Sequence, residues 1–511
     1  MAVFVLSAAT ADVTAGAGSD RLAGRIPVGW YPTALVALGD TLVVANGKGA
    51  STGPNPQGPQ PGQARVRDGG EPDTSYTLGQ IRGSLSIVPA MHVGGADLAA
   101  LTARVARANG WDGGRPAGPR YPPFTHVIYI LKENRTYDQV FGDLAQADGD
   151  TSLVLFGRAV SPNHHALAER FGIFDRFFVN AEVSADGHNW SMAAYATDYT
   201  QKTTPINYDG GGRSYDYEGE NRNQIAEDDV AEPAQGYLWD LAARARITFA
   251  NFGEFAIAET NGDSVTQYQA TKPFLAAHTD PHYPAFDMAI PDQRRMDVWL
   301  ASLERWVAAG EMPALQILHL PCDHTAGARV GMRTPRAMMA DNDLALGRLV
   351  AALSRSAFWK NTVVFVMEDD AQNGPDHVDS HRSPLLVVSA YTRFGVSHRF
   401  TNTTDVLRTI EDILGLNALS QFDHYGHPLR DVWSDAADTT PYAALTPSVP
   451  RDERNPPGGR AASDSRRLDL ATVDAADMDL FNRVLWMAVK GEGAPYPAAH
   501  RMSVLELRRS R

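Results

Sequence analysis

The chain has 511 residues, 43% of them hydrophobic and 21% charged, which describes a folded globular protein larger than one ordinary core. Its formal charge of −14 argues against nucleic acid or an anionic membrane as main partner, because a phosphate backbone would be repelled. The single cysteine, Cys322, excludes a disulfide framework and a thiolate-rich zinc site, so any metal must be held by oxygen and nitrogen.

No apolar run approaches the length of a membrane span, and the first residues, Met1-Ala-Val-Phe-Val-Leu-Ser, lack the basic start of a signal peptide. Residues 25–49 read as short strands punctuated by Gly and Pro, 50–70 as an irregular loop, and 96–109 as a short helix. A Gly/Pro-rich connector over 110–123 sets a boundary, leaving a small β-rich appendage over 1–115. Beyond it, buried-strand runs begin at Phe124, Leu315, Thr362 and Pro384. Thr334-Pro335 opens a helix carrying Leu346, Leu349, Val350 and Leu353.

Short apolar strands alternating with helices predict an α/β fold over 116–436, a mostly parallel sheet sandwiched by helices. In such sheets functional groups gather past the C-terminal strand ends. Residues 200–310, less regular and aromatic around 208–217, read as an insertion or lid. Residues 437–511 read as a polar linker and a helix over 474–489, with Leu480, Val484, Leu485 and Ala488 on one face.

Three clusters at strand or helix ends carry chemistry. Glu133-Asn134 follows the first strand run and offers adjacent oxygen ligands to a hard cation. Ser184-Ala-Asp-Gly-His188-Asn189 combines a hydroxyl nucleophile, a possible acid or base and an amide donor. Glu368-Asp369-Asp370 leads into Asp376-His377-Val-Asp379-Ser-His381, and three consecutive carboxylates repel each other unless a cation neutralises them. A lesser cluster, Asp323-His324, follows another strand. Taken singly, Glu133 suits a helix N-terminus and Ser184 a turn; their joint position at element ends favours a site.

The run Thr125-His-Val-Ile-Tyr-Ile-Leu-Lys-Glu-Asn-Arg-Thr-Tyr-Asp resembles the opening motif of the phosphoesterase family, which includes bacterial phospholipases C and acid phosphatases of the alkaline-phosphatase superfamily. Val363-Val-Phe-Val-Met-Glu-Asp-Asp, ending in Asp376-His-Val, is similar to its second hallmark, and Leu167-Ala-Glu-Arg-Phe-Gly-Ile-Phe-Asp-Arg-Phe-Phe followed by Ser184 to the approach to its nucleophile. The resemblance covers roughly residues 120–430. It implies an alkaline-phosphatase-like sheet and a divalent cation (Mg, Ca, Mn or Zn) on Glu133, Asn134, Ser184, Asp369 and Asp370, with Ser184 also the nucleophile. His188, His324 and His377 are then expected to serve in catalysis, and Asn189, Asp323 and His381 in substrate binding. Asp370 stands where many members have Glu, and Gln372-Asn373-Gly374 replaces the usual Gly-Gly. Ile26-Pro-Val-Gly-Trp-Tyr-Pro and Val44-Ala-Asn-Gly-Lys-Gly resemble the last blade of YVTN-type β-propellers in longer, exported bacterial proteins.

The expected function is hydrolysis of a small phosphate ester or phospholipid head group through a phosphoseryl intermediate. The alternative is a non-catalytic binding or adhesion protein on the same fold.

Overall fold

The structure is a computed structural model. It describes residues 1–5, 21–49, 53, 81, 83–109, 121–207, 230–262, 264–371, 374–470 and 476–496. Most of the expected loop over 50–70, the aromatic stretch over 208–217, the pair Gln372-Asn373 and much of the 110–123 connector lie outside the described residues. The chain divides into two compact units, Met1–Gly53 with Gly79–Pro119, and the remainder.

In the first unit, strands Trp30–Leu38, Thr41–Gly49 and Ser84–Pro89 form an antiparallel sheet in that order. Pro32 sits on an edge strand, where its missing N–H costs no central ladder bond, and the register slips around it. A helix, Gly95–Ala108, buries Leu98 against Ile26 and Val88.

The second unit is built on five strands: β1 His126–Lys132, β2 Phe249–Phe252, β3 Leu315–His319, β4 Thr362–Glu368 and β5 Leu385–Ser389. Their order is β5-β4-β1-β3-β2, parallel except for antiparallel β5 at one edge. Alternate residues feed two separate cores. Ile128, Ile130, Val364 and Val366 pack on one side, and Val127, Tyr129, Leu131, Val363 and Phe365 on the other. Burial on both faces explains why these strands read as continuous apolar runs rather than alternating ones.

Among the described residues, the helices that pack around this sheet or border its edge include α1 Pro162–Phe171, α2 Ser184–Ala193, α3 Asp292–Ala309, α4 Pro335–Leu353, α5 Thr403–Leu414 and α6 Met478–Lys490. Helices α1, α3, α4 and α6 cover the first face through residues such as Leu167, Trp299, Leu349 and Leu485. Helix α5 covers the second through Val406, Leu407 and Ile410. Thr334 caps α4 as its sequence suggests, its hydroxyl accepting from the Ala337 N–H at 3.2 Å. Leu349 is fully buried in that helix, and cutting it to Ala would cost about 2–5 kcal/mol. Helix α6 buries Phe481, Val484 and Leu485, with Asp477 as its cap.

One expectation is corrected. The segment 200–310 is not simply an insertion over the sheet, for it contains edge strand β2 and the covering helix α3. Strand β2 is four residues long and carries Asn251, too short and too polar for an apolar run to reveal it. Among the described residues, the exposed hairpin Ala256–Asn261 with Ser264–Ala270 stands apart from the five-stranded sheet.

Candidate active site

Strands β1, β3 and β4 end level, because Lys132 pairs with Glu368 and Leu131 with His319. Three short loops therefore leave the same edge of the sheet side by side. Glu133 and Asn134 come from the first. Asn134 turns the chain with φ 66°, a left-handed conformation that Asn tolerates better than most residues. Asp369 and Asp370 come from the loop after β4, and Ser184 is the first residue of α2.

These side chains meet. Nδ2 of Asn134 donates to Oγ of Ser184 at 2.9 Å and to Oδ2 of Asp370 at 2.8 Å. The Ser184 hydroxyl lies 3.0 Å from Oδ2 of Asp370 and 3.4 Å from Oε2 of Glu133. His188, one turn along α2 from Ser184 and so on the same face, lies with Nε2 at 3.4 Å from Glu133 Oε1 and 3.5 Å from Asp369 Oδ2. Gly187 lets α2 approach this closely, since a Cβ there would meet Asp369 Oδ2 at 3.0 Å and its carbonyl at 3.1 Å.

Two further residues belong to the cluster and are not among those the sequence singles out. Nε2 of His319, the last residue of β3, lies 2.8 Å from Oε1 of Glu133. Oε1 of Glu254, just past β2, lies 2.8 Å from Nδ1 of His188. The available signal for both is position beyond or at a strand end.

The electrostatics are those of crowded carboxylates in a dry site. Burial, then the neighbouring Asp370 and Glu133 charges, pushes Asp369 well above the usual carboxylate range. Burial likewise raises Asp370 to about 6, against hydrogen bonds that favour its ionised form. Burial would raise Glu133 too, but hydrogen bonds from His188 and His319 overcome it and hold the group well below its ordinary value. Both oxygens of Asp369 and Oδ1 of Asn134 are buried without a hydrogen-bond partner. Uncompensated buried oxygens beside repelling carboxylates are what a bound divalent cation would satisfy, so the residues present fit one.

The remaining expected residues lie elsewhere. Asp323 is turned into the fold, 2.8 Å from Nζ of Lys132, and accepts from the Glu133 N–H at 3.2 Å. Glu368 also faces Lys132, at 3.3 Å. His324 stacks on Phe481 and meets the edge of Phe286, with Nδ1 2.9 Å from the Thr325 carbonyl. Burial lowers its pKa. His377 is bound to Asp138 at 2.6 Å and Asp148 at 3.2 Å, in a separate network with Arg382 and Asp376. His381 bridges Glu182 and Asp379. Asn189 is buried in α2, donating to the Ala185 carbonyl.

Fold and cluster together describe an α/β protein with a carboxylate- and histidine-rich cluster at the C-terminal edge of a mostly parallel sheet. The phosphoesterase family matches over residues 144–417, more than half of the chain, and the protein belongs to that family. It is accordingly an ester-hydrolysing enzyme. No curated protein sequence matches it. Among solved structures, it is similar to a Vibrio parahaemolyticus protein of the alkaline phosphatase superfamily at 17% identity, covering 64% of this chain and 78% of that one with a TM-score of 0.40. It is similar to the phosphonate monoester hydrolase of Agrobacterium radiobacter at 16% identity, covering 62% and 79% with a TM-score of 0.35. A murine ectonucleotide pyrophosphatase/phosphodiesterase 5, an inactive variant in complex with AMP, matches at 13% identity, covering 60% and 100% with a TM-score of 0.38.

Proposed function

We propose that the protein is a metal-dependent hydrolase of phosphate esters in which Ser184 is the nucleophile. The observation that carries this reading is the convergence of the Ser184 hydroxyl with Glu133, Asn134 and Asp370 within hydrogen-bonding reach. Glu133, Asn134, Ser184, Asp369 and Asp370 would hold the divalent cation. Once bound, the cation supplies Lewis-acid stabilisation of phosphoryl charge and lowers the pKa of the serine hydroxyl.

The chain's own residues do the rest. Asn134 and Asp370 fix the rotamer of Ser184, which attacks phosphorus in line and displaces the alcohol. The Oγ proton passes to Oδ2 of Asp370, 3.0 Å away, the P–Oγ bond forms as the ester P–O bond breaks, the leaving oxygen takes a proton from water, and water then cleaves the phosphoseryl intermediate. Removal of Ser184 from bulk water at the end of α2 keeps that intermediate from premature hydrolysis. His324 is a poor general acid, since its Nδ1 proton is committed to Thr325 and burial favours its neutral form. His377, engaged by Asp138 and Asp148, belongs to the support of the loop rather than to the reacting groups.

A phosphate monoester or a phospholipid head group is the expected substrate class. The antiparallel three-strand sheet of the first unit supports the resemblance of that region to a propeller blade. Turnover of p-nitrophenyl phosphate and of its choline ester, after dialysis against each of Mg, Ca, Mn and Zn, tests the function. Absence of turnover with every metal would leave a binding protein as the better reading.

A further inference from the structure

The cluster around Ser184 is closed on almost every side: Glu133, Ser184, Asp369 and Asp370 are each no more than 4% exposed. Phe286 contrasts with them. It is 45% exposed, yet its ring centroid lies 6.3 Å from that of His319, nearly parallel at 24°, and 5.5 Å from that of His324 at 85°. A large apolar ring thus stands half open to water against one wall of the site.

The segment that carries this ring is fastened from three directions. Tyr283, fully buried, donates its hydroxyl to the His319 carbonyl at 2.8 Å and so ties the segment to the end of β3. The buried guanidinium of Arg295 in α3 donates to the carbonyls of Pro284 at 2.9 Å, Ala285, Asp287 at 3.2 Å and Ile290 at 3.0 Å. Asp292 balances its charge at 3.0 Å, and Arg333 donates to the Met288 carbonyl at 3.3 Å. A rigid fork of donors fixes the carbonyls on both sides of Phe286, and an aromatic side chain has only two torsions left to settle. Rigid exposed aromatics of this kind bind ligands at low entropic cost. Cover for His319 alone would be served better by a buried side chain, because the open part of the ring forgoes its hydrophobic gain.

Direction supplies the rest of the argument. From Ser184 the contacts run to Glu133 at 3.4 Å, from Glu133 to His319 at 2.8 Å, and from His319 to Phe286. Attack in line by a buried hydroxyl places the leaving oxygen on the far side of phosphorus, pointing outward. The substituent on that oxygen therefore emerges where the open ring lies.

We infer that Phe286 is a specificity residue, the wall on which the leaving group of the ester rests, and that it selects flat, uncharged, aromatic leaving alcohols over compact polar ones. A phenyl face gains dispersion and hydrophobic contact from a planar ring, whereas a small polyol gives up hydration against it for nothing. The inference rests on the preceding reading for the position of the phosphoryl group.

The test compares kcat/KM of the full chain, loaded with the metal that gives most turnover, on 2-naphthyl phosphate, glycerol 2-phosphate and phosphocholine. Phe286→Ala is expected to lower the naphthyl-to-glycerol ratio about fivefold to tenfold, through KM rather than kcat. Phe286→Leu should recover part of that ratio, and Phe286→Trp all of it. An unchanged ratio in Phe286→Ala would overturn the inference. So would an equal loss on all three esters, accompanied by loss of metal and repaired by Phe286→Leu, since the ring would then only cover His319. A loss confined to phosphocholine would overturn it in favour of a cation on the ring face. Each of these results leaves Ser184 as nucleophile standing. Absence of turnover of every ester by wild type, with any metal, would overturn both readings.

Discussion

Oγ of Ser184 lies 3.0 Å from Oδ2 of Asp370, and the same carboxylate oxygen accepts from Nδ2 of Asn134 at 2.8 Å. Two residues far from it in sequence, Asn134 and Asp370, thus hold one hydroxyl in a single orientation at the mouth of a helix. A serine kept only for capping would need none of this.

Replacing Ser184 separates the possibilities. Ser184→Ala removes the attacking oxygen and is expected to lower kcat by several orders of magnitude, while Ser184→Thr keeps a hydroxyl of similar basicity and a measurable fraction of turnover. Trapping of a phosphorylated peptide containing Ser184 after acid quench would accompany activity. Hydrolysis by Ser184→Ala at the wild-type rate in metal-replete buffer would instead require direct attack by water.

A second prediction concerns the buried Lys132, which lies between Asp323 at 2.8 Å and Glu368 at 3.3 Å. Removing one carboxylate leaves the ammonium undercompensated in a dry interior, so Asp323→Ala should cost about 3–5 kcal/mol of stability in urea denaturation. A variant as stable as wild type but with a raised KM would return Asp323 to the substrate-binding role that its position after a strand suggests.

How much of the fold and site is legible in the sequence depends on what each residue reports about itself. Strands β1, β3, β4 and β5 announce themselves by unbroken apolar runs, and the carboxylates after β1 and β4 stand out because charge rarely follows such a run. Glu254 gives no such sign, since Phe249–Phe252 is short and polar at Asn251 and the surrounding segment looks like an insertion. His319 is visible but reads as part of its strand. Periodicity carries no information when both faces of a strand are buried, so the sequence cannot tell that its last residue faces Glu133. The antiparallel direction of β5 is likewise hidden, because pairing direction depends on the connection rather than the strand.

His381 offers a pH test away from the reacting groups. Its Nε2 lies 2.8 Å from Glu182 and its Nδ1 3.0 Å from Asp379, so both nitrogens face carboxylates. Burial opposes the charged ring, but Glu182 and Asp379 outweigh it and raise the pKa from 6.5 to about 10. A raised folded pKa adds stability that is complete below the unfolded value and vanishes as pH climbs through the folded one. The stability gap between wild type and His381→Gln should therefore be widest below pH 6.5 and close as pH approaches 10. A gap that does not change with pH would mean the ring is neutral in the fold.

Gly187 makes the sharpest prediction, because activity should fall steeply while stability hardly changes. It lies inside α2, where exchanging Gly for Ala ordinarily stabilises a helix by about 0.5–1 kcal/mol through the lost freedom of the unfolded chain. Yet a methyl group there would stand 3.0 Å from Oδ2 of Asp369 and 3.1 Å from its carbonyl carbon and oxygen, closer than side chains normally approach. Asp369 must then shift by a few tenths of an ångström or α2 must tilt, and either motion disturbs the spacing of Asp369, His188 and Ser184. Displacements of this kind lower the affinity of a metal or the rate of a reaction about tenfold to a hundredfold. Gly187→Ala is therefore expected to melt no more than a degree or two below wild type while losing metal affinity and turnover together. The larger Gly187→Ser should lose more of both. If Gly187→Ala retained full activity and full metal content, the approach of α2 to Asp369 would have no part in the site, and the glycine would be a packing residue alone.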